Sequence, residues 1–208
     1  MLEVFYADVS ALDLARDIQI STYRQDRLSR QKTDGQRRKC LGAELLLNYA
    51  VCRHAPGLPP PLDIVCGEYG KPRLRGGELY FSLSHSGGYV AVAVGDEEIG
   101  LDIQENVPYK PAIAARFFTP DEKRHIDMRA DRDAAFTEIW CRKESFVKAG
   151  GTGIHTPLGS FSVLEMPWIW HCEIPGYHIA VCRLSAMQAT PDKFEKIEFL
   201  DIQYKCNK

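Results

Sequence analysis

The sequence lacks long apolar runs and targeting segments. No stretch of the 208 residues approaches the roughly 20 apolar residues of a membrane-spanning helix. The first residues, MLEVFYADVSALDL, have no basic segment followed by an apolar one, so we expect no signal peptide. With 45% hydrophobic and 26% charged residues, the composition is typical of a globular protein. We therefore expect a cytoplasmic protein.

Cysteine pairs with metal-ligand spacing are also absent. The chain has 7 cysteines, an odd number, and none forms a CxxC pair. They are Cys40, Cys52, Cys66, Cys141, Cys172, Cys182 and Cys206. This pattern predicts reduced and mostly buried thiols in place of a disulfide framework or a zinc site.

The usual nucleotide-binding motifs are missing as well. There is no GxxxxGK[ST] sequence and no well-placed GxGxxG sequence, so neither a P-loop nor a dinucleotide-binding fold is indicated. The formal net charge of -2 provides no general attraction to nucleic acid or to an anionic membrane. Any anion-binding site must therefore be local.

The pattern of apolar residues predicts an α+β protein in two parts. LEVFYADV resembles a strand, a helix is expected from Asp13 to about Arg30, and LGAELLLNYAVCRHA is clearly helical. NVPYKP resembles a linker, after which RFFTPDEKRHIDMRA and AAFTEIWCRKESFVKA are helical. Strands are expected in SFSVLE, WIWHCEI, YHIAVCRL and FEKIEFLDI. We expect two pseudo-symmetric subdomains, 1–104 and 105–208, each with helices on a small, mainly antiparallel sheet.

The segment LYFSLSHSGGYVAVAVGDEEIGLDIQ predicts a three-strand antiparallel meander, because Gly87-Gly88 is a strong hairpin signal. This register puts Ser84, Ala91 and Asp102 in one row on the same face. Ser84 and Asp102 would then be roughly 10 Å apart across two strand spacings. Such a spacing suits a ligand with two phosphate centres.

The segment WCRKESFVKAGGTGI places two charges where an amphipathic helix should be apolar. Lys143 falls near the middle of the apolar arc, and Glu144 lies at its edge, four residues from Lys148. A buried ammonium needs a partner. Either Lys143 pairs with an internal carboxylate and Glu144 with Lys148, or the lysines meet an anionic ligand.

Other charged and polar residues also leave two readings open. In EIGLDIQ, Asp102 and Gln104 share a strand face and could hold a hard cation, or simply form its solvent-exposed face. His85 could bind a ligand or stabilise a turn. The basic run RLSRQKTDGQRRK could supply arginines to a phosphate, or could be a solvated helix face.

Taken together and in this order, these segments resemble the Sfp-type (surfactin-synthetase-activating) 4'-phosphopantetheinyl transferases. WCRKESFVKAGGTG resembles that family's WxxKESFxK signature, IGLDIQ its GIDIE strand, and YFSLSHSGG its FNxSHSG hairpin. EYGKP, RFFTPDE, RRKCLGAELLL and LGSFSV resemble further family segments. The matches run from about Arg24 to Val163.

The resemblance implies a function and a set of site residues. A carrier-protein serine would attack the β-phosphate of coenzyme A and release adenosine 3',5'-bisphosphate. The implied magnesium ligands are Asp102, Gln104 and Glu144, the implied catalytic residues Glu144 and Lys148, and the implied coenzyme A contacts Arg38, Lys71, Ser84, His85, Lys143 and Lys148. Arg37 is an alternative to Arg38, and Glu122 matches the family's acidic position after RFF. The resemblance also implies a monomer that meets its carrier around residues 107–130.

Gln104 departs from the family pattern, which has a second acidic ligand at this position. An amide oxygen can coordinate magnesium but adds no charge, so we expect weaker metal binding. The departure keeps a second hypothesis open, a non-catalytic module that binds coenzyme A or a carrier protein. A third, metal-dependent hydrolysis of coenzyme A, has no nucleophile or extra acidic cluster in its favour.

Overall fold

The computed structural model describes residues 1–15, 18–77, 79–184, 190–199 and 202. Its strands are β1 (Leu2–Asp8), β2 (Ile64–Cys66), β3 (Pro72–Leu74), β4 (Tyr80–Ser86), β5 (Tyr89–Gly95), β6 (Ile99–Glu105), β7 (Ile169–Ile174), β8 (Tyr177–Arg183) and β9 (Lys193–Lys196). Its helices are α1 (Thr22–Leu28), α2 (Asp34–His54), α3 (Pro111–Phe117), α4 (Pro120–Asp127) and α5 (Arg132–Gly150). Within these residues, none of the helices combines the length and apolarity needed to cross a bilayer.

The first sheet has the strand order β4-β5-β1-β9 and is covered on one face by α2. A capping box between Thr33 and Gln36 begins α2, in which each residue satisfies a backbone N–H of the other. The helix buries Leu46 and Leu47 completely, and each such leucine contributes about 1.5–3 kcal/mol through the hydrophobic effect. The long apolar face of α2 is therefore what anchors this sheet.

The second sheet has the order β6-β8-β7 and is covered by α5. Asp131 caps the first turn of α5, and Gly151 ends the helix with φ of 66°, a conformation that glycine adopts without strain. The inner faces of the two sheets share one apolar cluster, which includes Val4, Leu101 and Val181. The observed fold is thus the expected α+β class, with small and mainly antiparallel sheets.

The predicted meander is half right. The hairpin is confirmed, since Ser84 pairs with Ala91 across the Gly87-Gly88 turn. The pairing predicted for the third strand was wrong, because β6 pairs with β8 in the other sheet. Ser84 Oγ consequently lies 2.6 Å from Asp102 Oδ1, and not about 10 Å away as the single-sheet register implied.

Alternating serines on β4 explain how β6 can lie beside this strand without pairing to it. The amide of Leu101 donates to Ser82 Oγ at 2.9 Å, and that of Glu105 donates to Ser86 Oγ at 3.0 Å. Hydroxyls thus satisfy backbone donors at an edge of the second sheet, which would otherwise be buried without partners. The edge of one sheet therefore docks on the face of the other.

Three other expectations change. The helix expected from Asp13 to Arg30 is limited to α1, with residues 16 and 17 outside the described part. SFSVLE forms no strand, and the strand expected in FEKIEFLDI is only β9, with residues 200 and 201 not described. The division into subdomains 1–104 and 105–208 stays a prediction. Strand β6 extends across this boundary, and β9, from the second half of the chain, belongs to the first sheet.

A fully buried ion pair joins α4 to α5. Lys143 Nζ lies 2.9 Å from Glu122 Oε2, and both side chains are completely shielded from solvent. The ammonium also donates to the carbonyls of Leu158 and Phe161 at 2.7 and 2.6 Å. Glu122 in turn accepts the amides of Thr119 and Val163. The open question about Lys143 is answered by an internal carboxylate.

A pair of histidines, the buried His178 and the half-buried His171, lies between α5 and the second sheet. His171 Nε2 is 2.8 Å from His178 Nδ1, and the two rings are stacked. Burial lowers the pKa of His171 to about 4, although the Glu138 carboxylate opposes this shift. Burial also lowers the pKa of His178. The native protein therefore holds both rings neutral below the pH at which free histidines become charged.

We predict that Lys143→Met destabilises the protein strongly, because it leaves the Glu122 carboxylate buried without its cation. The expected loss in the free energy of unfolding is about 3–5 kcal/mol, measured by urea denaturation. Arg124→Met is the control, since it removes an exposed ion pair with Asp121 on α4 and should cost less than about 1 kcal/mol. Equal stability of the two variants would contradict the role given to the buried pair.

We also predict acid destabilisation through His171. Its pKa is lower in the native protein than its ordinary value of 6.5, so the unfolded chain binds more protons between pH 6.5 and about 4. Stability should therefore rise with pH across this window and fall as the pH drops, by up to about 3 kcal/mol. His171→Gln should flatten this part of the curve in urea titrations. An unchanged slope in the variant would show that His171 is not responsible.

Candidate functional site

A cavity of about 1150 Å³ opens between the two sheets and their helices. Of the residues predicted from the sequence, those that line it are Lys71, Ser84, His85, Asp102, Gln104, Glu144 and Lys148. They come from β4, β6, α5 and the turn before β3. Residues that are up to 77 positions apart in the chain therefore meet at one place.

Gly100 sets the distance between α5 and β6. A Cβ at this position would lie 2.0 Å from the Ser145 carbonyl oxygen and 2.2 Å from the Ala149 amide nitrogen. Backbone atoms cannot yield to such an overlap, so only glycine permits this approach. The backbone of α5 therefore lies directly against Gly100, which brings Glu144 and Lys148 close to Asp102 on β6.

Three side chains form a close polar network at the cavity wall. Lys148 Nζ donates to Asp102 Oδ1 at 2.6 Å and to Ser84 Oγ at 3.0 Å, while the Ser84 hydroxyl donates to Asp102 Oδ1 at 2.6 Å. Both bonds to Asp102 use the same carboxylate oxygen, Oδ1. The second one, Asp102 Oδ2, is buried and has no hydrogen-bond partner among the described residues. A buried acceptor of this kind is costly unless a donor or a cation reaches it.

Glu144 adds a second carboxylate to the same region. Burial raises its pKa, the charge of Asp102 raises it further, and that of Lys148 lowers it. The two carboxylates therefore repel one another across the cavity wall. A divalent cation between them would relieve this repulsion and satisfy Asp102 Oδ2.

The oxygen atoms available here suit magnesium. Asp102 and Glu144 supply carboxylate oxygens and Gln104 supplies an amide oxygen, which are the hard ligands that magnesium prefers. In the described part of the chain, no group of three or more histidine, cysteine or acidic residues is placed to hold a metal. The protein alone thus provides two charged ligands, and oxygens of a bound phosphate would have to complete the shell.

His85 follows Ser84 on the cavity rim. Desolvation of the His85 ring lowers its pKa, and the positive charge of Lys39 lowers it further. The positive surroundings favour an anion near this end of the cavity. Lys39 belongs to the basic run RLSRQKTDGQRRK, whose role the sequence left open.

Sequence reasoning missed part of the cavity wall. Tyr23, Arg24 and Arg27 of α1 line it, and Arg24 is buried against the fully shielded Glu44, with Nε–Oε2 of 3.1 Å. Arg24 Nη2 is buried without a hydrogen-bond partner among the described residues. Arg24 precedes the basic run, which begins at Arg27, and nothing in the local sequence distinguished it from the exposed arginines nearby. The alternating serines of YFSLSHS could have indicated that β4 contacts another strand.

Two predicted coenzyme A contacts are not at the cavity. Lys143 is absent from its lining, because Glu122 and two carbonyls use all three ammonium hydrogens. Arg38 is also absent from the lining, and its Nε donates to the carbonyl of Leu12 at 3.1 Å. Arg37 pairs with Asp34 on the surface. The geometry therefore provides no support for phosphate contacts by these side chains.

The arrangement is suited to bind a flexible polyanion next to an acid–base group. One end offers His85 with basic residues of α1 and α2, and the other offers Lys148 beside two carboxylates. Glu144 lines the cavity wall, and burial raises its pKa, so this carboxylate binds a proton more readily than a solvated one.

Comparison with known proteins identifies the family of this chain. A family model described as the 4'-phosphopantetheinyl transferase superfamily matches residues 98–182. A "4'-phosphopantetheinyl transferase" of Bacillus subtilis is 34% identical over 166 residues, which is 71% of this chain and 72% of the relative. AcpT of Salmonella typhi is 34% identical over 181 residues, covering 82% and 90%. Sfp of Bacillus subtilis is 37% identical over 135 residues, covering 55% and 60%. This chain belongs to the 4'-phosphopantetheinyl transferase superfamily.

Proposed function

We propose that the protein transfers 4'-phosphopantetheine from coenzyme A to a serine of an apo acyl or peptidyl carrier protein, releasing adenosine 3',5'-bisphosphate. The observation that carries this proposal is the meeting of Asp102, Glu144 and Lys148 at one cavity wall. This combination suits a reaction at a diphosphate, in which negative charge must be held and neutralised.

Magnesium is proposed as the cofactor, with Asp102, Glu144 and Gln104 as its ligands. When bound, it would neutralise charge on the diphosphate and on the leaving phosphate. The partnerless Asp102 Oδ2 and the raised pKa of Glu144 support this assignment. Lys148 already lies on Asp102 and Ser84, from where its ammonium would be available to the phosphate oxygens.

The residues of the chain then have distinct parts in the transfer. Glu144 would orient the carrier serine and accept its proton as the serine oxygen bonds to the β-phosphorus. The bond from that phosphorus to the bridging oxygen breaks, and the leaving bisphosphate keeps the bond's electrons. Lys148 would offset the charge that develops on the phosphate oxygens. Most of the rate enhancement would thus come from positioning and electrostatics.

The nucleotide end of coenzyme A is proposed to lie against Ser84, His85 and α1. His85 has Lys39 close enough to influence its pKa, and Arg24 has a buried guanidinium nitrogen without a partner. A 3'-phosphate would supply acceptors for both groups. This adds Arg24 and Arg27 to the residues that the resemblance implied.

The subfamily, the oligomeric state, the two halves and the carrier-binding region are also proposals. The shared signatures support an Sfp-type enzyme, while the longer coverage of AcpT keeps that branch open. We propose a monomer with pseudo-symmetric halves, 1–104 and 105–208, that meets its carrier around residues 107–130, where α3 and α4 lie. A non-catalytic module that binds coenzyme A or a carrier is the alternative, and the altered ligand Gln104 is the observation in its favour.

The proposal is tested by mixing the protein with coenzyme A, magnesium and an apo carrier, and then weighing the carrier. A gain of one phosphopantetheine group supports transfer. Release of bisphosphate without carrier would indicate hydrolysis, and coenzyme A binding without either product would indicate the binding module.

We predict that Glu144→Gln lowers the transfer rate roughly 100-fold or more, because the variant loses the proton acceptor and a metal ligand. Binding of coenzyme A, followed by calorimetry without magnesium, should be retained. Glu138→Gln is the matched control on the same helix, since Glu138 pairs with Arg142 and does not line the cavity. Full activity of Glu144→Gln would refute the assignment.

We also predict that Gln104→Glu lowers the magnesium concentration for half-maximal rate, by roughly 10-fold, because a third carboxylate adds ligand charge. The measurement is a magnesium titration of carrier modification. Gln19→Glu, which adds the same charge at an exposed position, should leave the midpoint unchanged. An unaltered midpoint in Gln104→Glu would place this residue away from the metal.

A further inference from the structure

Lys71 lies at the cavity but has no hydrogen left for a ligand. Its Nζ donates to Glu98 Oε2 at 2.6 Å, to the Ile99 carbonyl at 2.9 Å and to the Ala149 carbonyl at 3.0 Å. An ammonium has three N–H donors, so these three acceptors use all of them. The side chain is only 11% exposed.

The two carbonyl acceptors belong to the elements that carry the proposed metal ligands, and Glu98 directly precedes β6. Ile99 is the first residue of β6, three positions before Asp102, and Ala149 is in the last turn of α5, after Glu144 and Lys148. The last carbonyls of a helix have no partner within it and attract a cation. Lys71 is therefore bonded to the end of one element and the start of the other.

Neighbouring groups hold Lys71 in this position. Its Cδ would lie 3.3 Å from a Cβ at Gly151, so its aliphatic stem passes close to the helix cap. Arg73 Nη2 holds the other oxygen of Glu98 at 2.7 Å. Burial lowers the pKa of Lys71, and the bond to Glu98 opposes this shift. The ammonium is thus enclosed in a fixed set of bonds.

We propose that Lys71 is a positioning residue that fixes the C-terminal turn of α5 against the start of β6 and so sets Glu144 and Lys148 relative to Asp102. It does so without binding a phosphate of coenzyme A through its ammonium. This inference rests on the proposed function, and it departs from the coenzyme A contact that the family resemblance implied for this residue.

The test compares three variants in two measurements. Lys71→Met keeps most of the aliphatic stem and removes the donors, and Glu98→Gln removes the charge of a partner that does not line the cavity. Arg75→Met is the control, since Arg75 is 67% exposed, pairs with Asp63 and does not line the cavity. The first measurement separates kcat of carrier modification from the Kd of coenzyme A. The second is amide hydrogen exchange of residues 146–151.

Lys71→Met is expected to lower kcat roughly 10- to 100-fold, as displacement of catalytic groups does, and to leave the Kd of coenzyme A within about 2-fold. Exchange at residues 146–151 should become faster. Glu98→Gln should change both kcat and exchange in the same direction by less, and Arg75→Met should resemble the wild type.

A loss of coenzyme A affinity in Lys71→Met with unchanged exchange and kcat would overturn the inference, because Lys71 would then be a ligand contact. Wild-type behaviour of Glu98→Gln in both measurements would also overturn it, and this variant decides the matter if Lys71→Met does not fold. If the wild type transfers nothing to any carrier, the proposed function fails, while the exchange measurement still tests the role of Lys71.

Discussion

The close approach of α5 to β6 over Gly100 is the constraint on which the site depends. The backbone of α5 occupies the space that a side chain at position 100 would need. The distance between α5 and β6 is therefore set by backbone atoms that cannot adjust. Asp102, Glu144 and Lys148 share one wall only because of this distance. A larger residue at position 100 would move α5 as a whole and separate the carboxylates, even though Gly100 itself touches no ligand.

The incompletely compensated charges of this cavity wall indicate that it is a ligand-binding surface. Two carboxylates lie near one another, the Asp102 oxygen that faces no partner is buried, and one lysine compensates for part of their charge. Folding alone would not favour such an arrangement, since buried charges without full compensation are costly. By contrast, Lys143 and Glu122 are buried with every bond satisfied. The satisfied pair supports the fold, and the unsatisfied wall is left for ligands.

This contrast also shows which features of the fold and the site could be predicted from the sequence. Local signals were reliable: Gly87-Gly88 specified the hairpin and its register, and the charged positions of WCRKESFVK placed Glu144 and Lys148 on one helix. The pairing of strands distant in the sequence could not be predicted, because no residue in or near β6 indicates whether this strand pairs with β5 or with β8. Periodicity also left Lys143 undecided, since its partner lies 21 residues earlier at the start of another helix. Likewise, Arg24 could not be separated from its exposed neighbours without Glu44.

The serine stripe of β4 connects the fold to the chemistry. Ser82 and Ser86 accept amide hydrogens from the edge of β6, while Ser84, between them on the same face, bonds the side chain of Asp102. One alternating pattern thus docks the second sheet and completes the polar network. The outer two hydroxyls bond the backbone of β6 on either side of Asp102 and so fix the strand on which this carboxylate stands. The second oxygen of Asp102 has no hydrogen-bond partner among the described residues, and a bound cation or ligand donor would satisfy it.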